Sequence, residues 1–340
     1  MPLNMSKNSK TSLKISIVIP TLNCAIILKK CLLSIKKQSY KNYEIIIADG
    51  GSTDKTLTLA KKYHCHIIKN SLKTAEAGKA VGVKAAKGEY VALIDSDNIL
   101  PNKYWLSQML LPFEDANIIG SEPIAFTYRK NAGFIERYSA LLGANDPYAY
   151  FSGNYDRHSY LSNKWTNIKI KTEDKQSYLK LKIEDCILLP TIGANGTLFK
   201  RDFLLKNIKG DYLFDIDILA QAKKPIYFAK VKNSIIHTFC ESSIKKFFKK
   251  QNRRLTDYYH YRSLRHYQWS QNSKSISFAI YSLLIFPSLY DSIRGFIKKP
   301  DFAWFFHPLA CLGTTIIYAY ITIKYKLGLL KPLDRNKWQQ

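Results

Sequence analysis

The chain has 340 residues, of which 46% are hydrophobic, and this is enough for one large domain with appendages and a sizeable core. Its 52 Lys and Arg residues outnumber 26 Asp and Glu residues, which gives a net charge of +26. This charge favours an anionic partner such as nucleic acid, an anionic membrane or a phosphorylated substrate. The alternative is a lysine-rich, solvated surface without such a partner. The six cysteines form no CxxC pair or regular framework, which argues against a disulfide scaffold and predicts reduced thiols in a cytosolic compartment.

The first hundred residues alternate between strand and helix patterns. Short apolar runs rich in β-branched residues predict strands at 15–20, 43–48 and 90–95, with a weaker strand at 64–70. Helical spacing of apolar residues and capping residues predict helices at 25–37, from Thr53 or Asp54 to Lys62, and at about 75–86. This alternation predicts a parallel α/β sheet covered on both faces.

Polar residues follow three of the predicted strands. They are PTLN at 20–23, Asp49 with its Gly-Gly-Ser-Thr turn, and DSDN at 95–98. In sheets of this kind ligands bind beyond the carboxyl ends of the strands, so the three clusters are expected to meet at one ligand site. Glycines after Asp49 would let the backbone pass close to the ligand.

Two nucleotide-binding motifs are absent from this region. No G-x-G-x-x-G follows the first predicted strand, which argues against a nicotinamide-dependent dehydrogenase. A P-loop around AGKA at 77–80 would need glycine at Lys73 and a hydroxyl residue at Ala80, so a nucleoside triphosphatase of that type is excluded as well.

Asp95-Ser96-Asp97 is the most informative of the polar clusters. Two carboxylates two positions apart at a strand end supply part of a site for a hard divalent cation, Mg²⁺ or Mn²⁺, whose remaining positions are filled by water or substrate phosphates. The same pattern also occurs in ordinary turns, but Asp49 at the end of another strand strengthens the interpretation. The pattern therefore predicts a site for a metal–diphosphate.

The order and spacing of these motifs over residues 14–115 resemble the family 2 glycosyltransferases, which have the GT-A fold. The resemblance lies in ISIVIPTLNCAIILKKCLLSIKKQSYKNYEIIIADGGSTDKT and in GKAVGVKAAKGEYVALIDSDN. These segments are similar to the family's V-I-P-T-x-N start, its L-x-x-x-L-x-S-I-x-x-Q helix, its D-G-S-T-D-x-T turn and its D-x-D. The resemblance implies an α/β GT-A fold, with a Rossmann-like mixed sheet, and a nucleotide-sugar donor.

The resemblance also implies roles on the donor side. Asp97 would bind Mg²⁺ or Mn²⁺ directly, Asp95 would contact the ribose or the metal's shell, and His237 stands where the family often has a histidine near the metal–diphosphate, with a purely structural role as the alternative. Lys79 replaces the arginine of the family's Arg-Asn pair and retains a charge for a phosphate or base. The nucleotide-sugar site would comprise Pro20, Thr21, Asn23, Asp49, Lys79, Asp95, Ser96 and Arg254.

The acceptor half carries a weaker resemblance. TIGANGTLFKR at 191–201 is similar to the family's G-x-N-G-x-x-F-x-R turn, which implies Asn195 and Gly196 on the acceptor side. The family's catalytic base, a carboxylate that takes the proton of the acceptor hydroxyl, is expected at Asp215 or Asp217. The family's acidic-x-Asp-Leu spacing favours Asp217, and either aspartate could instead cap a helix.

The last hundred residues are basic and apolar. Residues 245–265 contain eight Lys and Arg among aromatic residues, and uncharged apolar segments follow at 276–290 and 302–323. Nucleic-acid binding is one interpretation of the basic stretch. The apolar neighbours favour a membrane-surface element attracted to anionic lipid.

Gln251 and Arg254 also resemble the Q-x-x-R-W motif of processive membrane synthases, whose arginine contacts the diphosphate. Leu255 stands in place of the tryptophan, which favours a single addition over processive synthesis. Of the apolar segments only the second is long enough to span a bilayer, and basic residues flank both. A re-entrant or interfacial hairpin is therefore predicted, with a buried pair of core helices as the alternative.

Together these patterns and the family resemblance predict a membrane-associated, metal-dependent glycosyltransferase at the cytoplasmic face of the inner or plasma membrane, and the resemblance implies that it inverts the anomeric carbon. It would move a sugar from a nucleotide diphosphate sugar, with a UDP-sugar preferred, to a lipid-linked or polysaccharide acceptor, without a nucleic-acid partner. The alternative is a non-catalytic basic membrane- or nucleic-acid-binding protein on a degenerate transferase fold. The predicted boundaries are a basic tail at 1–13, a GT-A catalytic domain at 14–240 (nucleotide-sugar half 14–115, acceptor half 116–240), a basic amphipathic region at 241–271, and a hydrophobic hairpin with a basic tail at 272–340.

Overall fold

The chain forms a mixed β-sheet with helices on both faces, as the sequence predicted. The computed structural model describes residues 14–184, 189–193, 195–265, 267 and 274–334. The strands are β1 (Ile15–Thr21), β2 (Tyr43–Asp49), β3 (His66–Lys69), β4 (Tyr90–Leu93), β5 (Asn98–Ile99), β6 (Ile118–Phe126), β7 (Lys171–Asp174), β8 (Tyr178–Ile183), β9 (Thr197–Lys200) and β10 (Ile226–His237). The α-helices are α1 (Ala25–Lys36), α2 (Thr56–Lys62), α3 (Ala75–Ala85), α4 (Trp105–Leu110), α5 (Phe134–Leu142), α6 (Pro147–Ser152), α7 (Arg201–Asn207), α8 (Asp215–Gln221), α9 (Ile244–His260), α10 (Ser275–Leu283), α11 (Phe286–Lys298) and α12 (His307–Lys326). The basic tail predicted at 1–13 lies outside the described residues.

The strand order across the sheet is β3-β2-β1-β4-β9-β6-β10-β8-β7, and β5 pairs with β10. β1 to β4 run parallel, whereas β9 runs antiparallel to both β4 and β6. The chain moves outward from β1 to β3 and then returns on the other side of β1 as β4, so the strand order reverses between β1 and β4. Ligands bind at such reversal points, and the polar residues that follow β1, β2 and β4 meet there.

Two apolar clusters fix the helices to the sheet. α1, α2 and α4 cover one face, and α3, α7 and α8 cover the other. α3 lies especially close to β1, because a Cβ added at Gly82 would fall 2.2 Å from Cγ1 of Val18. This close approach fixes the height of α3 above the sheet and with it the position of Lys79 on the same helix.

A third apolar cluster joins the C-terminal segment to the rest of the fold. Trp304 and Ala310 are fully buried there against Tyr138 of α5 and Phe247 of α9. This part of the segment predicted at 272–340 is therefore core, as in the alternative raised from the sequence. Many of its other large apolar side chains remain exposed.

The C-terminal helices differ in their capacity to cross a membrane. Among the described residues, 302–326 is the helical segment whose length and apolar composition allow a span. α10 and α11 qualify only when taken together, and they are bent by 81° relative to each other.

Candidate active site

Thr21 and Asp49 close the carboxyl ends of β1 and β2. They are paired in register, and the Thr21 hydroxyl donates to Asp49 Oδ1 over 2.8 Å. The other carboxylate oxygen accepts the backbone N–H groups of Gly51 and Ser52, each over 2.8 Å. Gly51 has φ +93°, a left-handed conformation that favours glycine. Asp49 therefore shapes the turn that the sequence assigned to the nucleotide site.

Asn23 ties the end of β1 to the same turn. Its side-chain Oδ1 accepts the N–H of Thr53 over 2.8 Å, and its own N–H donates to the Ser52 hydroxyl over 2.9 Å. Pro20 packs against α3, because a Cβ added at Gly78 of that helix would fall 2.9 Å from Pro20 Cβ. Pro20 and Asn23 thus build the walls of the site rather than offering unused polar groups to a ligand.

A cavity of about 570 Å³ opens beside this turn. It is lined by Asp49, Gly50, Gly51, Leu57, Ile67, Ile68, Lys69, Asn70, Ser71 and Lys73. Its walls combine apolar side chains with a few polar groups, as is typical of small-ligand pockets. Lys69 and Asn70 were not predicted from the sequence, although Lys69 ends β3 and Asn70 follows it, just as the other polar clusters lie at the ends of their strands.

Asp97 is the meeting point of three elements. Its Oδ2 lies 3.3 Å from His237 Nε2, at the end of β10, and 3.3 Å from Lys250 Nζ, on α9. β5 pairs Asn98 with His237, and this pairing brings the histidine to the aspartate across the sequence. Lys250 was not predicted, because the sequence of α9 indicated only a basic surface and a contact of Arg254 with the diphosphate.

The electrostatics of Asp97 favour the ionised carboxylate. Burial alone would raise the pKa of the Asp97 carboxyl, but His237 and Lys250 hold it well below its ordinary value. The Asp97 carboxylate is an oxygen ligand of the kind that Mg²⁺ and Mn²⁺ prefer, and the adjacent imidazole offers a nitrogen ligand that suits a transition metal better than Mg²⁺. Within the described residues no group of three or more His, Cys, Asp or Glu side chains could hold a metal alone. Substrate phosphates and water would have to complete the coordination.

Asp95 and Ser96 complete the strand-end cluster. Asn98 orders the turn, since its Oδ1 accepts the N–H of Asp95 over 3.1 Å and its N–H donates to the Asp95 carbonyl over 2.9 Å. Ser96 is buried. Asp95 lies near enough to Lys79 that its charge contributes to raising the pKa of that lysine, against the lowering effect of burial. The turn therefore carries Asp97 and also brings Asp95 close to Lys79 of α3.

Lys79 pairs with Asp215. Its Nζ lies 2.9 Å from Asp215 Oδ2 and 3.2 Å from Oδ1. Burial raises the pKa of the Asp215 carboxyl to about 6, although Lys79 opposes the shift, and the charge of Asp95 adds to it. A carboxylate whose pKa lies close to neutral pH has the properties of a general base.

Asp217 has a different environment. It is buried, and its Oδ1 accepts the backbone N–H of Tyr267 over 3.1 Å. Neither aspartate caps the helix, because α8 begins at Asp215 and its N-cap position is Phe214. The geometry thus favours Asp215 over Asp217, the reverse of the preference drawn from motif spacing, and Asp217 fixes the segment around Tyr267.

Asn195 and Gly196 border the turn at residues 95–98. Asn98 Nδ2 donates to Asn195 Oδ1 over 3.1 Å. Gly196 has φ +81°, and a Cβ there would fall 2.5 Å from Ile235 Cδ1, so glycine is required. The predicted acceptor turn is therefore joined directly to the D-x-D loop.

Arg254 contacts Gln251 and Asp146 rather than the Asp97 cluster. Its guanidinium lies 3.4 Å from Asp146 Oδ2, a carboxylate that also accepts the Tyr318 hydroxyl over 2.7 Å. Gln251 donates to the Asn145 carbonyl over 3.0 Å. In this conformation the Q-x-x-R pair links α9 to α6 and α12, and Lys250 is the α9 cation that reaches Asp97.

The comparisons with known proteins agree with this geometry. The profile of glycosyl transferase family 2 matches residues 16–206. A glycosyltransferase of Streptococcus pneumoniae serotype 4, GlyG, is 36% identical over 92 residues, which cover 25% of this chain and 31% of that protein. WfaP of Escherichia coli, a UDP-Glc:alpha-D-GlcNAc-diphosphoundecaprenol beta-1,3-glucosyltransferase, is 33% identical over 133 residues, 38% of this chain and 49% of that protein. The matched segments thus span about a third and about half of these two relatives.

One solved structure extends the fold comparison to nearly the whole chain. The mannosyltransferase PcManGT of Pyrobaculum calidifontis, in complex with GDP-Man and Mn²⁺, superposes with a TM-score of 0.50 at 13% identity and covers 94% of this chain and 91% of that one. The chain belongs to glycosyl transferase family 2. Its mixed α/β sheet has the GT-A fold.

Proposed function

We propose that this glycosyltransferase moves a sugar from a nucleotide diphosphate sugar, preferably a UDP-sugar, to a hydroxyl of a lipid-linked or polysaccharide acceptor, with inversion and with Mg²⁺ or Mn²⁺. One observation carries the proposal. The Asp97–His237 pair and the Lys79–Asp215 pair each join distant parts of the chain, and Asp95, two residues from Asp97, lies close enough to Lys79 and Asp215 for its charge to raise the pKa of both. A metal–diphosphate site beside a carboxylate base is what transfer from such a donor needs.

The donor side follows from the lining of the cleft. The cavity beside Asp49 would take the nucleoside, and Asp97 with His237 would hold the divalent ion. When bound, the ion would offset negative charge on the leaving diphosphate. Lys250, already 3.3 Å from Asp97, would place a further positive charge beside that diphosphate. The structure of PcManGT contains GDP-Man and Mn²⁺, and the name of WfaP specifies UDP-Glc, which agrees with a donor of this class.

Asp215 would act on the acceptor. Its carboxylate would accept the proton of the acceptor hydroxyl while the hydroxyl oxygen attacks the anomeric carbon and the bond to the diphosphate breaks. Lys79 would keep the carboxylate ionised and oriented, because it donates to both oxygens of Asp215. A single displacement of this kind inverts the anomeric carbon.

The C-terminal helices would hold the enzyme at the cytoplasmic face of an anionic membrane. Large apolar side chains are exposed on α10, α11 and α12 and beside them, namely Ile276, Ile280, Leu283, Phe286, Tyr290, Ile293, Ile297, Phe302, Ile316, Ile323 and Leu327. So much exposed apolar surface is typical of an interaction site. The net charge of +26 would add attraction to anionic lipid.

Calorimetric titration with UDP, in the presence and absence of Mn²⁺, tests the donor site. We expect the wild-type protein to bind UDP more tightly with Mn²⁺, and Asp97→Ala to lose that dependence. Asp202→Ala, at an exposed position on α7, is the matched control. UDP affinity that is absent or independent of Mn²⁺ in the wild type would favour the non-catalytic alternative. Transfer from a panel of nucleotide sugars to extracted membrane lipids, followed by mass spectrometry, then identifies sugar and acceptor.

A further inference from the structure

A second cavity, of about 400 Å³, lies between the end of α9 and the end of α12. It is lined mainly by two arginines and four tyrosines: Arg262, Arg265, Tyr258, Tyr259, Tyr267 and Tyr325. None of the described residues that line it is acidic. The hydroxyl of Tyr259 is hydrogen-bonded to Thr322 Oγ1 over 2.9 Å, and that of Tyr267 accepts the Leu189 N–H over 3.0 Å. The donors that an anion would meet are therefore the two arginines and the hydroxyls of Tyr258 and Tyr325.

The cavity is built on fixed side chains. The rings of Tyr259 and Tyr325 stack with centroids 4.1 Å apart and planes inclined by 11°, which joins α9 to α12 at the cavity wall. The guanidinium of Arg265 lies 4.6 Å from the ring centroid of Phe214 and 5.7 Å from that of Tyr258. Its Nε is buried and has no hydrogen-bond partner among the described residues. Arg265 is therefore positioned by ring faces, and because its Nε is buried, a ligand would have to bind its terminal guanidinium nitrogens.

The position of the cavity connects it with catalysis. Phe214, on which Arg265 stacks, directly precedes Asp215, and Tyr267 donates its backbone N–H to Asp217. Along the chain, the exposed apolar residues Leu327 and Leu329 follow Tyr325 at the end of α12. The cavity wall is thus connected both to the start of α8, which carries the proposed base, and to an exposed apolar segment.

We infer that this cavity binds the phosphate or diphosphate group of the acceptor. The inference rests on the proposed function and specifies its acceptor class. Arginine forks bind phosphate oxygens in pairs, and tyrosine hydroxyls add further donors. An acceptor anchored here by its anionic group would present a hydroxyl of its attached sugar toward Asp215. Such a group could belong to a lipid-linked diphosphate, with its chain along the apolar surface, or to a water-soluble phosphorylated glycan.

Direct binding measurements test the inference without turnover. Inorganic pyrophosphate and farnesyl diphosphate are titrated calorimetrically into the full chain in EDTA, so that no divalent ion can hold them at Asp97. The variants are Arg262→Gln/Arg265→Gln and Arg262→Gln alone, since Arg262 is exposed and its loss should not disturb folding. The control is Lys29→Gln/Lys30→Gln, which removes the same charge from exposed positions on α1, across the sheet.

The expected result is that the double variant binds both probes at least about tenfold more weakly than wild type, that Arg262→Gln lies between them, and that the lysine control equals wild type. Farnesyl diphosphate binding more tightly than pyrophosphate would identify the lipid-linked source, and equal affinities the water-soluble one. Equal affinities across all variants, or no binding to wild type, would overturn the inference. Because donor and metal are absent, this outcome is independent of the UDP–Mn²⁺ titration.

Discussion

Lys79 and Asp215 form an ion pair across the active-site cleft, with 2.9 Å between Nζ and Oδ2, and they join the middle of α3 to the first residue of α8. The side chain of Lys79 is 5% exposed, whereas that of Asp215 is 21% exposed. The aspartate is therefore the partner that remains accessible to a substrate. This difference in exposure supports Asp215 as the base.

Replacing Asp215 with asparagine is expected to abolish transfer while leaving UDP binding intact. The amide keeps the shape of the carboxylate and cannot accept the acceptor proton, and loss of a general base costs roughly 10²–10⁴-fold in kcat. Steady-state kinetics and UDP calorimetry on the same preparation measure the two properties. Asp217→Asn is the comparison, and we expect it to lower thermal stability more than kcat because it weakens the hydrogen bond from Tyr267. The opposite pattern would return the role of base to Asp217.

The pH profile should report the carboxyl of Asp215. Its pKa of about 6 means that the base is protonated, and the rate falls, as the pH drops through about 6. Lys79→Gln removes the cation that opposes this shift, so the acidic limb should move to higher pH. Profiles of kcat/KM measure the effect. Lys84→Gln, an exposed position on the same helix paired with Asp211, is the control, and a limb unmoved in Lys79→Gln would disconnect the pair from the titration.

His237→Gln should raise the Mn²⁺ concentration needed for half-maximal activity by about tenfold or more, because the imidazole lies 3.3 Å from Asp97 and belongs to the same proposed site. Metal titrations at saturating donor measure this shift. His158→Gln, a partly buried histidine on the acceptor side of the chain, serves as control. If His237→Gln changes protein stability but leaves the Mn²⁺ requirement unaltered, the histidine has only a structural role.

Glu122→Ala should destabilise the fold by about 3–5 kcal/mol. The carboxylate is fully buried and pairs with both Arg157 and Lys230, so its removal leaves two buried cations with Asp156 as their remaining carboxylate partner. It also accepts hydrogen bonds from Gly193 N and the Thr197 hydroxyl, over 3.0 and 2.9 Å, and thereby supports the acceptor turn. Urea unfolding measures the change in free energy.

Glu173→Ala removes a carboxylate of a surface ion pair and should change stability by less than about 1 kcal/mol. A similarly small effect at Glu122 would contradict the importance given to the buried network. Acceptor KM, measured in whichever Glu122 variant remains folded, shows whether the turn at Gly193 has moved.

The two sides of the C-terminal segment should respond differently to mutation. Phe286 and Phe302 are 81% and 79% exposed, so Phe286→Asp/Phe302→Asp should reduce flotation with phosphatidylglycerol vesicles while the protein stays folded. Trp304→Ser should instead unfold the third apolar cluster, because Trp304 is fully buried. Flotation at low and high salt separates apolar from ionic attachment.

Flotation of the aspartate double variant equal to wild type would place any membrane contact elsewhere. For the same structural reason, deletion of the whole segment from 275 is expected to destabilise the catalytic part, since Tyr138 and Phe247 lose their apolar neighbours. A soluble, active truncation would show that the third cluster is dispensable.

The sequence by itself determined the elements whose signals are local. β1, β2 and β4 are short apolar runs, α3 has helical spacing, and the polar clusters follow the strands directly. Side-chain periodicity and strand-end chemistry are properties of neighbouring residues, so the fold class, the family resemblance and the D-x-D cluster could be predicted from them.

The tertiary structure alone decided which distant groups meet. Asp215 and Asp217 lie two residues apart on a helix, so their side chains are separated by about 200° around its axis. The two carboxylates therefore have different neighbours, and only the packing of the helix determines that Asp215 meets Lys79 while Asp217 meets Tyr267. Pairing of β5 with β10 brings His237 to Asp97, and the course of α9 adds Lys250. These contacts depend on how separate elements pack, and the spacing of neighbouring residues in one sequence does not determine that packing.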